Sequence, residues 1–189
     1  MQTFFASTHP KIAVLCSSSP PRRSCYVEDA ELLGSYLAAA PFSLLYGGGA
    51  QGLMGRVAQS ALDLGGEVFA VTTRFELSQN ESHLPVTGLA LVDSNSERNQ
   101  RLFEEAAGFV VMPGGWGTLY ELSNLLNDKQ VGLLSKPLIL LNTAGFWDRL
   151  IPLMVHMQAE GFLLPEKMDL FQIVEGPQEA VHLLGKFLR

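Results

Sequence analysis

Two cysteines in 189 residues, Cys16 and Cys25, are too few for a disulfide framework, and they lack the CxxC spacing of a zinc or redox site. That scarcity fits a reducing compartment, and the cytoplasm is the expected location. Histidine is equally sparse: His9, His83, His156 and His182 are scattered without metal-ligand spacing, so no metal is expected. Basic charge is in the minority, 13 Lys and Arg against 19 Asp and Glu, for a net charge of −6 at pH 7. Such a balance argues against a nucleic-acid partner or an anionic lipid surface and favours a small ligand. No apolar run reaches the length of a membrane span, and Met1 to Pro10 is neither basic nor apolar enough for a signal peptide. Repeats, low-complexity tracts and linkers are missing too, so residues 1–189 are expected to form one domain.

What the chain does have is alternation. Apolar β-like runs occur at Ile12–Cys16, Leu44–Tyr46, Val68–Thr72, Leu89–Val92, Phe109–Met112, Leu138–Leu141 and Phe171–Val174. Helical patterns fall between them at Tyr26–Ala39, Leu53–Leu64, Asn95–Ala107, Thr118–Leu126, Phe146–Ala159 and Pro177–Leu188. Near-continuous apolar strands separated by helices predict an α/β fold, Rossmann-like and doubly wound, with a mostly parallel sheet and helices on both faces. Ligands of such sheets bind where strand order reverses, at the strands' C-terminal ends, which singles out the loops after Cys16, Tyr46, Val92 and Met112. The one long polar connection, Arg74–Pro85, reads as a lid or mobile loop.

Two of those loops are rich in glycine. Pro113-Gly114-Gly115-Trp116-Gly117-Thr118 links a strand to a helix, and a helix start with unpaired N–H groups and a favourable dipole is a phosphate cradle. Glu121, one turn in, would then lie beside whatever the phosphate is attached to. A second turn, Gly47-Gly48-Gly49-Ala50-Gln51-Gly52, even satisfies GxGxxG. A dinucleotide site also needs an acidic residue about twenty positions on. Thr72, Thr73 and Arg74 stand there, so NAD is disfavoured and Arg74 leaves an NADP reading open. Glycines that serve only a tight turn remain the alternative.

Glu121 has a plainer reading as well. Thr118-Leu119-Tyr120-Glu121 fits the capping box S/T-x-x-E, in which the carboxylate merely binds a helix-end N–H. Ser94-Asn95-Ser96-Glu97 is another such box, opening the helix that carries Arg98. Arg98 is the anomaly there: a first-turn cation opposes the dipole, and no acid stands three or four positions away. It suits an anion or a developing charge, unless it is an ordinary solvated arginine. Arg101, by contrast, has Glu104 and Glu105 at helical spacing. Ser17-Ser18-Ser19 and Arg22-Arg23 could bind a ligand or simply form a polar turn. Lys11, Lys129, Lys136, Lys167 and Lys186 lie at strand starts or in polar contexts, which leaves a pyridoxal phosphate Schiff base unsupported.

The segments Tyr46–Gly55 and Pro113–Glu121 match GGGxxGLMG and PGGxGTxxE, the two signatures of the LOG (Lonely guy) family, often mislabelled lysine decarboxylases. The chain resembles these cytokinin riboside 5′-monophosphate phosphoribohydrolases over nearly its whole length, from Ile12–Cys16 and Tyr26 to Lys136-Pro137-Leu138 and Glu160-Gly161-Phe162. The resemblance implies a homodimer without cofactor that hydrolyses the N-glycosidic bond of a purine nucleoside 5′-monophosphate. Arg98 and Glu121 fall on the family's catalytic positions. Gly114, Gly115, Gly117 and Thr118 would hold the phosphate, with Gly48, Gly49 and Gly52 completing the crevice. The M-H-x-R-K segment of the family reads Asn95-Ser96-Glu97-Arg98-Asn99 here, and Tyr120 replaces a common acid. These departures bear on base specificity and keep a second class open, a nucleotide-binding or cofactor-carrier protein without turnover.

Overall fold

The computed structural model describes residues 5–79, 84–165 and 169–188. Strands β1 (Lys11–Leu15), β2 (Ser43–Tyr46), β3 (Val68–Thr73), β4 (Gly88–Val92), β5 (Gly108–Val111), β6 (Leu138–Leu141) and β7 (Gln172–Val174) form one sheet in the order β4-β3-β2-β1-β5-β6-β7. Every pairing is parallel. The chain winds outward from β1 to β4, returns to β5 on the other side of β1, and winds out again. The reversal between β1 and β5 opens a crevice above their C-terminal ends.

Helices α1 (Ser24–Ala39), α2 (Gly52–Asp63) and α7 (Pro177–Phe187) cover one face, and α4 (Asn95–Glu105), α5 (Trp116–Gln130) and α6 (Leu150–Ala159) the other. The period-two pleat of β1 divides its side chains between these layers. Ile12 and Val14 pack with Leu33, Leu37 and Val57, while Ala13 and Leu15 pack with Leu102, Leu122 and Leu125. Both faces being dry explains why the strands read as unbroken apolar runs. Among the described residues no helix is long and apolar enough to cross a membrane.

Two expected elements differ. The Arg74–Pro85 connection begins with a short helix, α3 (Arg74–Gln79), and its remainder includes residues 80–83, which lie outside the described residues. Thr73 and Glu76 form a capping box that starts it: Thr73 Oγ1 accepts from the Glu76 N–H at 3.0 Å, and Glu76 Oε2 accepts from the Thr73 N–H at 3.4 Å. The helix expected over Phe146–Ala159 is split into a 3-10 segment, Thr143–Arg149, and α6. Ala144 and Gly145 have φ of 54° and 72°, and the Asn142 side chain accepts from the Trp147 N–H at 2.7 Å, so this stretch closes as a turn before the α-helix begins. Pro152 sits in the first turn of α6, where it breaks no helical bond.

Candidate active site

A cavity of about 470 Å³ occupies the crevice. Ser17–Ser19 after β1, the turn after β2, Thr72 of β3, Glu76 of α3, Arg98 of α4 and the start of α5 surround it. Of the sequence candidates, Gly49, Gly115, Gly117, Thr118, Arg98 and Glu121 line it; Gly48, Gly52 and Gly114 do not. Gly48 and Gly52 take φ of 83° and 59°, and a Cβ on Gly52 would stand 2.5 Å from the Ser18 carbonyl carbon. Gly48 serves the turn and its approach to Thr72 of β3, and Gly52 its approach to the β1 loop. Gly114 faces the Thr118 side chain instead. Arg22 and Arg23 are not part of the lining, and the Arg23 guanidinium lies over the Tyr26 ring.

The two glycine turns are not equivalent. The N–H groups of Leu53 and Met54, in the first turn of α2, donate to the Ser17 carbonyl at 2.9 and 3.2 Å. That helix end is plugged by protein. On α5 the cap is Gly115, and the N–H groups of Trp116, Gly117 and Thr118 have no partner among the described residues. A helix start of this kind, with no side chain on Gly115 or Gly117 in the way, is suited to take an anion. Trp116, 87% exposed, stands at its edge.

The start of α5 also decides the reading of Glu121. Because the helix begins at Trp116, two residues before Thr118, Thr118 is inside it rather than at its cap. The Thr118–Glu121 capping box therefore does not form. Ser94 does cap α4, accepting from the Glu97 N–H at 3.1 Å. Glu121 is 1% exposed, and its Oε1 accepts from Arg98 Nη2 at 3.1 Å. Arg98 is buried as well, which excludes the solvated-arginine alternative. It has no acid three or four positions away on its own helix but finds a second one across space besides Glu121, since Nη1 lies 2.8 Å from both oxygens of Glu76. Arg101 keeps the expected helical partner Glu104 at 3.7 Å, while Glu105 meets Lys11 in a buried pair at 3.0 Å.

Burial pushes the Glu121 carboxyl up to about 7; the charge of Glu76 adds to the rise, and Arg98 opposes both. The Cys16 thiol, at the end of β1, is held far above its usual range by burial and by Glu121, so it is inert at neutral pH. The arrangement places a carboxyl poised near neutrality, a fixed cation and an open helix start around one pocket. Glu76 is the residue that sequence reasoning missed. Its signal was the T-x-x-E pattern Thr73–Glu76, hidden in a connection without helical periodicity.

A family model described as "Possible lysine decarboxylase" matches residues 54–184. Over 176 residues the chain is 35% identical to a probable cytokinin riboside 5′-monophosphate phosphoribohydrolase of Oryza sativa subsp. japonica, covering 93% of this chain and 78% of that one. The chain belongs to this LOG family. A cytokinin riboside 5′-monophosphate phosphoribohydrolase of Rhodococcoides fascians is 34% identical over 159 residues, 84% of this chain and 80% of its own. Among solved structures, the molybdenum cofactor carrier protein of Chlamydomonas reinhardtii superposes with a TM-score of 0.68 at 22% identity, over 95% of this chain and 98% of the other. That likeness shows a shared fold. The decarboxylase label finds no support in the residues that line this cavity. Pyridoxal phosphate requires a lysine for its Schiff base, and no lysine lines the cavity; Lys167 lies outside the described residues.

Proposed function

We propose that the protein hydrolyses the N-glycosidic bond of a purine nucleoside 5′-monophosphate, with N6-substituted adenine among its bases, and releases free base and ribose 5-phosphate. It acts in the cytoplasm as a homodimer. The observation that carries the reading is the buried Glu121–Arg98 pair facing the same cavity as the unpaired N–H groups of α5. The 5′-phosphate takes those N–H groups, and its remote contacts orient the ribose over the pair.

Breaking the bond builds positive charge on the ribose and negative charge on the departing base. The Glu121 carboxylate stabilises the first and receives the proton of the attacking water, whose oxygen bonds to C1′ as the C1′–N bond breaks; the electron pair of that bond leaves with the base, which takes a proton from solvent. Arg98 stabilises negative charge and holds the carboxylate in place; its Nη1 and Nη2 already meet Glu76 and Glu121, and its Nε is buried, so the phosphate belongs to α5. In support of the dimer, α6 buries only Met154 and leaves Leu153, Val155 and Met157 exposed, an apolar surface that a second copy would cover.

Incubation with AMP, N6-substituted AMP and a panel of other nucleoside 5′-monophosphates, followed by mass spectrometry, tests the reaction. Free purine and ribose 5-phosphate are expected. A rise in melting temperature with AMP and no released base would identify a nucleotide-binding protein without turnover.

A further inference from the structure

One guanidinium serves two carboxylates in this site, and it serves them unequally. Arg98 gives Glu76 two contacts of 2.8 Å and gives Glu121 one of 3.1 Å. Glu76 is itself firmly held. Its Oε2 accepts from Thr72 Oγ1 at 3.3 Å and from Thr73 Oγ1 at 3.2 Å, besides the capping bond to the Thr73 N–H. Helix capping requires only Thr73, so the contacts to Arg98 and the position on the cavity wall are additional to it.

We propose that Glu76 is a positioning residue for the reaction, which anchors the Arg98 guanidinium away from Glu121 and so leaves the Glu121 carboxyl free to exchange a proton inside the cavity. A cation already paired with one carboxylate stabilises a second less, because the first carboxylate repels it. The groups facing Glu121 are Arg98 from α4, Glu76 from α3 and the Cys16 thiol from β1, with the Tyr46 hydroxyl of β2 coupled to that thiol. Burial and Glu76 together outweigh Arg98 there. Without Glu76, Arg98 would turn wholly to Glu121 and hold it ionised. A carboxyl poised near neutrality can take the proton of the attacking water and later release it to solvent, whereas one locked to a guanidinium is a poor base.

The role in hydrolysis rests on the phosphoribohydrolase reading, but the titration of Glu121 can be followed without turnover. Glutamine serves in a capping box, so Glu76→Gln removes the charge and keeps the cap. With 13C-labelled glutamate, and Glu121→Gln to identify the resonance, the Glu121 titration midpoint should fall by about one pH unit in Glu76→Gln. The limb of the kcat/KM profile on AMP near neutrality should move to lower pH by the same amount. Thr73→Val, which weakens the cap and removes one bond to Glu76 but keeps its charge and its contacts to Arg98, should lower the melting temperature and move the midpoint less than Glu76→Gln does. Glu76→Asp withdraws the charge by one methylene, gives a smaller fall in the same direction, and replaces the glutamine variant should that not fold. An unchanged Glu121 midpoint in a folded Glu76 variant would overturn the proposal. Lack of base release by the parent would overturn the function proposed above and leave the titration to decide this one.

Discussion

Arg98 and Glu121, 23 positions apart in the chain, meet at 3.1 Å above the point where the sheet reverses direction. The contact exists because α4 runs back from the edge strand β4 to β5, beside the central β1, and α5 starts from the end of β5. Neither residue has an acid–base partner on its own helix. Each is neutralised only by the path of the chain.

The carboxyl of Glu121 lies above the ordinary carboxylate range when folded, at about 7. Its contribution to stability is therefore fully present at low pH and is lost as pH rises through about 7, because the unfolded chain then binds fewer protons than the folded one. Glu121→Gln removes this titration. The parent's melting temperature should fall more steeply between pH 5 and pH 8 than the variant's, while the variant binds AMP and loses roughly a hundredfold or more of the hydrolysis rate. Parallel melting curves across that range would show that burial does not hold the proton.

Two arginines three positions apart should behave oppositely. Arg98→Ala leaves Glu76 and buried Glu121 without their shared cation, and should cost roughly 3 kcal/mol at pH 8 as well as activity. Arg101 is a third exposed and meets Glu104 at 3.7 Å, so Arg101→Ala should cost less than about 1 kcal/mol and leave turnover intact. Chemical denaturation of both variants alongside AMP assays makes the comparison. Equal losses would place Arg98 among ordinary helix-surface charges.

Adenosine should be a far poorer substrate than AMP. The unpaired N–H groups of Trp116, Gly117 and Thr118 have nothing to bind when the phosphate is missing, so orientation of the ribose is lost along with affinity. Steady-state rates should show a fall in kcat and not only a rise in KM. Equal kcat for the two would remove the phosphate from the mechanism.

Light scattering at micromolar concentration should give a dimer mass, and Leu153→Glu with Val155→Glu should convert it to monomer without unfolding. Both side chains are about half exposed, so the charges cost the monomer little. A monomeric parent would end the homodimer proposal.

Much of this protein is local in origin. The alternation of apolar strands with amphipathic helices sets a doubly wound parallel sheet, since a strand buried on both faces and a helix buried on one must carry those patterns. The same holds for the open, glycine-rich start of α5, because glycines, a strand end and a helix start are neighbours in sequence. The absence of any acid three or four positions from Arg98 on its own helix was legible too. Tertiary structure decided the rest. Whether Thr118 caps a helix or lies inside it depends on a two-residue difference in where α5 begins, and periodicity does not fix helix ends. That the α2 turn is closed by the Ser17 carbonyl while the α5 turn stays open depends on where the β1 loop crosses. Glu76 reaches Arg98 only because a capping box turns the chain into α3 at the end of β3, bringing together charges 22 residues apart. Charge pairing of this kind follows the distance between atoms in the folded chain, which spacing along the sequence does not encode.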